Sequence, residues 1–224
     1  MVPILYEDKD IIVVHKPAGL ESQSSRGFAP DMVSEISCYL HNPQDIHKPA
    51  AGISRVQPPY VGVIHRLDKP VQGVMVYAKN QKSAAALSAA LQAGKMEKSY
   101  MAVICGQLVD KQGSYVDYLR QDRKNNTSEI VDKSVKDAKK AVLKYREMEV
   151  IHSPEDKEQM VSLIDIELLT GRHHQIRVQF AGHGTPLYGD GRYGGDISTI
   201  VDIKKKPAAR GPLALCAYHL AFPH

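Results

Sequence analysis

The 224-residue sequence contains no tryptophan, three phenylalanines and three cysteines. The cysteines, Cys38, Cys105 and Cys216, lie far apart and form no CxxC pair, which excludes a sequence-local zinc site and a disulfide framework. They are expected to be buried apolar filler in a reducing compartment. No apolar run approaches the roughly 20 residues that a membrane-crossing helix needs. The opening Met1-Val2-Pro3-Ile4-Leu5-Tyr6-Glu7-Asp8 has no basic segment and no long apolar stretch, so it is not a signal peptide, and a cytoplasmic protein is expected. There is no internal repeat and no nucleotide or metal motif. Neither sign of charge dominates: 29 basic residues against 25 acidic ones leave a net charge of +4, which permits nucleic-acid binding without requiring it. What is present is an ordinary globular composition, 43% hydrophobic and 24% charged, in a chain long enough for one large domain or two small ones.

The pattern along the chain mixes short strands with a few helices. Ile11 to Val14 is a β-branched run stopped by Pro17 and Gly19. Met32, Val33, Ile36 and Leu40 follow helical spacing within 26–40, and 41–62 is rich in proline and glycine and reads as irregular surface. Residues 81–93 form the clearest helix, with Asn80 to cap it and Gly94 to end it. Lys98 to Cys105, Lys140 to Val150, Val161 to Leu169 and Leu213 to Phe222 read as strands, and the polar stretch 107–140 as an exposed hairpin or loop excursion. In the third of these strands Ile164, Ile166 and Leu168 should face the core, while Asp165 and Glu167 face solvent or a basic partner. A helix is expected to open at Thr170-Gly171 and run through Ala181, followed by a glycine-rich loop over 185–196 and a basic loop beginning at Lys204. Strands scattered between helices without strict alternation predict an α+β fold with a mixed or antiparallel central sheet flanked by helices.

One stretch carries more charge than its setting explains. Between the strand-like runs Val61–Ile64 and Val74–Ala78 stands His65-Arg66-Leu67-Asp68-Lys69-Pro70, a single carboxylate between two cations, with Gly73 shaping the following turn. A carboxylate aimed into a cleft and kept ionised by nearby positive charge is a competent nucleophile. A structural salt bridge at a strand end accounts for the same residues.

Three stretches stand out together: His65-Arg66-Leu67-Asp68, Lys98-Ser99-Tyr100, and Gly171-Arg172-His173-His174-Gln175-Ile176-Arg177. In this order and spacing the chain resembles the RNA pseudouridine synthases of the ribosomal large-subunit synthase A family. Ile4 to Asp8 leading to Lys16-Pro17-Ala18-Gly19, Gly189-Asp190 with Tyr193-Gly194, and Leu213 to His224 extend the likeness over nearly the whole chain. The resemblance implies a single catalytic domain over 1–224, a pseudouridine synthase fold with a central RNA-binding cleft, and uridine-to-pseudouridine isomerisation in structured RNA, ribosomal or transfer. It implies a base-flipping enzyme that works as a monomer, with RNA as its partner and with neither cofactor nor metal, because the reaction is an isomerisation.

Residue by residue, the likeness makes Asp68 the catalytic aspartate. The C1′–N1 glycosidic bond of the target breaks, and the uracil turns and rejoins through C5, by way of an intermediate drawn at C1′, at C6 or as a glycal. Tyr100 becomes the active-site tyrosine, whose ring can stack on a flipped uracil; without the likeness it reads as a strand tyrosine in the core. Arg177 becomes the partner of Asp68, and Ile176 packs beneath the base. Arg172 and Arg177, five apart, would point about 140° apart on one helix, so Arg172 is left to RNA phosphate or to local structure. Arg66 is implicated in displacing the target base, for which a stacking guanidinium is suited, and a phosphate or carboxylate partner is its alternative. His65, Leu67 and Lys69 complete the substrate-binding set, with His65 read as a hydrogen-bonded structural residue rather than a base. His173 and His174, adjacent on the expected helix, would point about 100° apart and cannot chelate together. The basic residues Arg120, Arg123, Lys124, Lys133, Lys136, Lys139 and Lys140, and Lys204, Lys205, Lys206 and Arg210, are either solvated surface or the phosphate-contacting rim of the cleft.

The sequence departs from the family at Val71-Gln72, where many members carry Thr-Ser, at His173, where a small hydroxyl residue is common, and at Cys216, where histidine is frequent. The catalytic pattern begins within the first five residues, so no S4-type RNA-binding segment is expected before it, and target choice is expected to rest on the catalytic domain. The alternatives to an isomerase are an RNA-binding protein that keeps the fold without the chemistry, and a hydrolase using Asp68. The joint presence of Asp68, Tyr100 and Arg177 disfavours the first, and the want of a sequence-local second acid or base disfavours the other.

Overall fold

The computed structural model describes residues 2–24, 29–41, 58–153, 157–194 and 212–224. Most of the proline- and glycine-rich segment expected over 41–62, and the basic loop with Lys204, Lys205, Lys206 and Arg210, lie outside the described residues. The chain divides into two compact units, residues 1–96 with 222–224 and residues 97–221.

The first unit holds strands β1 (Ile4–Glu7), β2 (Ile11–Lys16), β3 (Gly62–Val63) and β4 (Gln72–Ala78), with helices α1 (Met32–Leu40) and α2 (Gln81–Gln92). β4 pairs antiparallel with β2 and with β3, and β1 pairs antiparallel with β2. The register sets Lys16, the last residue of β2, against Gly73 near the start of β4, so β2 ends beside the turn that carries Asp68. Ile11, Ile12, Val14, Met75, Val76 and Tyr77 are buried, and Met32, Ile36 and Leu87 bring the apolar stripes of the two helices into the core. The Asn80 side chain accepts from the Ser83 amide at 2.9 Å to cap α2, and the chain leaves that helix through Gly94 at φ +68°. α1 starts at Met32, the first residue of the expected helical spacing, where Asp31 and Ser34 form a reciprocal capping box that fixes the first turn.

The second unit is an antiparallel sheet of β5 (Glu97–Cys105), β6 (Gln112–Asp122), β7 (Thr127–Val131), β8 (Lys139–His152), β9 (Met160–Leu168) and β10 (Leu215–Ala221), with helix α3 (Gln175–Gly182). Its spatial order is β10-β5-β9-β8-β6-β7, and these neighbours all pair antiparallel. The polar stretch after residue 107 is the β6–β7 hairpin. Alternation along β9 is as expected: Ile164, Ile166 and Leu168 are buried, while Asp165 and Glu167 face Arg146 and Lys144 of β8 at 3.2 and 3.1 Å. Phe180 of α3 is fully buried and meets Tyr115 edge-on, with ring centres 5.2 Å apart.

Two expectations need correction. Thr170 to His174 are not helical, and α3 begins at Gln175, because His174 adopts the left-handed conformation at φ 52° and breaks the helical path. Cys38 is exposed on α1 rather than buried, while Cys105 and Cys216 are half-buried. Among the described residues no helix is long and apolar enough to cross a membrane.

Candidate active site

In the first unit the residues singled out around Asp68 share one turn between β3 and β4. Leu67 is buried, Asp68 is half-buried, and Arg66 and Lys69 are exposed. The turn is held by its backbone. The Asp68 carbonyl accepts from the Val71 amide at 3.0 Å, and the Lys69 carbonyl accepts from the Gly19 amide at 2.8 Å. Gly19 stands at φ +88°, in the region that L side chains avoid, and that conformation aims its N–H at Lys69. Both backbone groups of Leu67 bond to the Ser22 hydroxyl. Outside the turn, Lys69 makes a 3.5 Å ion pair with Glu21. His65 accepts from the Val76 amide through Nε2 at 3.3 Å, which fits the structural role expected of it.

Lys16 is the unexpected member of this neighbourhood. It is fully buried, and its ammonium donates to the carbonyls of Leu20 at 2.6 Å, Pro17 at 3.0 Å and Lys69 at 3.2 Å. Three donors meet three acceptors, so the buried charge is fully hydrogen-bonded. Burial lowers its pKa to about 8, with the negative charge of Asp68 acting in the opposite direction.

In the second unit Tyr100 is buried on β5, between Ile166 of β9 and Ala217 of β10. Arg177 is buried on α3 and forms a two-point ion pair with Asp190, Nε to Oδ2 and Nη2 to Oδ1, each at 2.7 Å. Asp190 also accepts from the amides of Arg192 and Tyr193. Burial alone would raise the Asp190 pKa, but Arg177 and the two amides outweigh it and hold the carboxyl below its usual range. The guanidinium lies over the Tyr193 ring, 5.1 Å from its centre. Ile176 is buried beside Arg177.

The five residues before α3 form a joint. The Gln175 side-chain oxygen accepts from the Thr170 hydroxyl at 2.7 Å and from the Arg172 amide at 3.0 Å. Arg172 is exposed and donates through Nε to the Lys140 carbonyl, so part of its role is local structure, and the helical angle between it and Arg177 does not apply. The rings of His173 and His174 stack 3.7 Å apart rather than diverging, because neither lies within the helix. His173 bonds to Ser128 through Nδ1 and to Asn126 through Nε2, while His174 bonds to the Tyr193 hydroxyl at 2.7 Å. That hydroxyl also accepts from the Ser128 amide. Among the described residues no group of three or more His, Cys, Asp or Glu side chains is gathered as for a metal ion.

The sequence reading assigned no role to Lys16, Ser22, Asp190 or Tyr193. Lys16, Asp190 and Tyr193 carried a signal as members of the family-like segments. Ser22 had none.

A family model described as RNA pseudouridylate synthase matches residues 10–182, which include Asp68, Tyr100 and Arg177. An uncharacterized RNA pseudouridine synthase of Aquifex aeolicus is 35% identical over 228 residues, covering 100% of this chain and 65% of that protein. The ribosomal large subunit pseudouridine synthase D of Xanthomonas campestris is 33% identical over 194 residues, covering 87% of this chain and 52% of its own length. The chain thus spans between about half and two thirds of these relatives. Among solved structures, human RNA pseudouridylate synthase domain containing 1 superposes with a TM-score of 0.72 at 19% identity, covering 100% of this chain and 79% of that one. Human RNA pseudouridylate synthase domain containing 4 gives 0.67 at 23%, covering 99% and 84%. At these identities the structural likeness establishes the α+β fold.

Proposed function

This chain belongs to the RNA pseudouridylate synthase family, and on that premise we propose that it isomerises uridine to pseudouridine in a structured ribosomal or transfer RNA. Asp68 is the nucleophile that acts on a flipped-out uridine. The C1′–N1 bond breaks, the uracil turns, a C1′–C5 bond forms, and the proton displaced from C5 is balanced by one taken up at N1. The exchange involves no net oxidation or reduction, so its balance calls for no redox cofactor. Tyr100 contacts the uracil and Ile176 supports it. Arg177 is the catalytic arginine, its guanidinium fixed by the two-point pair with Asp190. Arg66 and Lys69, exposed on the same turn, and Arg172 contact RNA, with Arg66 filling the place of the displaced base.

The observation that carries this reading is the Asp68 turn itself, a carboxylate on a loop pinned through the backbone on both sides, inside the segment that matches the family. A solvated surface ion pair has no need of such anchoring. The test compares RNA from cells lacking the gene with wild type, mapping pseudouridine across ribosomal and transfer RNA. Loss of one or more pseudouridines, restored by the wild-type chain and not by Asp68→Asn, is the expected result. An unchanged map points to an RNA-binding protein that keeps the fold without the chemistry.

A further inference from the structure

Ser22 does for Leu67 what a neighbouring strand would do. Its hydroxyl donates to the Leu67 carbonyl at 2.8 Å and accepts from the Leu67 amide at 3.0 Å, so one oxygen atom satisfies both backbone groups of the residue before Asp68. Ser22 is 3% exposed, so water is a poor substitute. Its own carbonyl accepts from the hydroxyl of Tyr77 at 3.0 Å, and Tyr77 is fully buried in β4. The residue after Asp68 is held from the same strap, since the Lys69 carbonyl takes bonds from the Lys16 ammonium and the Gly19 amide. Residues 16–22 therefore grip both neighbours of Asp68.

We propose that Ser22 is a positioning residue for the isomerisation, whose hydroxyl fixes the Leu67 peptide and through it the place of the Asp68 carboxylate. The inference rests on the reading of Asp68 as nucleophile. Attack at a sugar or base carbon needs near-contact geometry, and a displacement of about 1 Å costs on the order of a hundredfold in rate. The chemistry selects the residue type. At this contact a single side-chain oxygen both donates and accepts, which excludes alanine and valine and admits serine and threonine.

The experiment uses the full chain and RNA from cells lacking the gene, labelled with tritium at uracil C5. Formation of the C1′–C5 bond displaces that tritium into water. Single-turnover release, RNA affinity and thermal unfolding are measured for wild type, Ser22→Ala, Ser22→Thr, Asp68→Asn and Ser83→Ala. Ser83 is the control: it is buried in the same unit and its hydroxyl donates to the Asp10 carbonyl at 2.7 Å, so its loss lowers stability without touching the turn. Ser22→Ala is expected to release tritium at least about tenfold more slowly at unchanged RNA affinity, with Ser22→Thr recovering most of the rate and Ser83→Ala keeping all of it. Should Ser22→Ala fail to fold, Ser22→Cys takes its place, since a thiol is a weak donor and acceptor, and its rate must also fall at unchanged affinity. A wild-type rate in the folded Ser22 variant, or a loss no greater than that of Ser83→Ala, overturns the proposal. Tritium release by Asp68→Asn would instead overturn the assignment of the nucleophile, so the two failures are distinguishable.

Discussion

A buried arginine has to find its counter-charge inside the protein, and Arg177 finds it in Asp190. Both side chains are almost wholly buried, and the contact is two-point. Removing one partner leaves the other charged and desolvated, so Arg177→Met should cost on the order of 3 kcal/mol at neutral pH, read by denaturant unfolding. The pH dependence has a fixed sign. The Asp190 pKa is lowered in the fold, so the pair stabilises above the ordinary carboxylate range, and that stability is lost as pH falls through the folded pKa. The difference between wild type and Arg177→Met should therefore be largest near neutrality and shrink below about pH 4. A difference that is independent of pH would contradict the pairing. The sequence named Arg177 as a functional residue but gave no route to Asp190, because the partner is 13 residues away in a loop without periodicity. Lys16 and Ser22 were equally hard to read. Each acts on backbone groups, and nothing in a side-chain pattern marks which carbonyl a buried ammonium or hydroxyl will meet.

At the scale of elements, strand and helix positions followed their periodicity closely, whereas the entry to α3 did not. Residues 170–175 carry no apolar side chain to set a period, and the left-handed His174 starts the helix late and turns Thr170 to His174 into a joint. What stabilises that conformation is long-range: His174 and the Ser128 amide both bond to the Tyr193 hydroxyl, tying β7 to the start of α3. Burial raises the Tyr193 pKa, so the phenol stays protonated and remains available as a donor. Tyr193→Phe removes both bonds and leaves a buried amide unsatisfied, for an expected loss of about 1–3 kcal/mol. Amide exchange at Ser128 should accelerate with it. Unchanged stability together with unchanged exchange would show that the joint is held by other contacts.

Over the whole molecule, the modest positive charge is unevenly matched. On the sheet of the second unit Lys144, Arg146 and Arg120 each face a carboxylate on a neighbouring strand. Around the β6–β7 hairpin and the turn after it, Arg123, Lys124, Lys133 and Lys136 are exposed. Composition could not separate these groups, because pairing depends on strand register. On the proposed reading the exposed set meets RNA phosphates. Converting all four to glutamine should flatten the dependence of log affinity on log salt by about 3, at roughly 0.7–0.9 per phosphate contact. A slope equal to wild type would leave them as solvated surface.

The central claim is that Asp68 performs the chemistry, and C5-tritium release by Asp68→Asn measures it most directly. Asparagine keeps the size and most of the hydrogen-bonding shape of aspartate but is a very poor nucleophile. The account predicts wild-type folding and RNA affinity with no tritium release above background under single-turnover conditions. Release at a substantial fraction of the wild-type rate, by a variant of verified sequence, would contradict it.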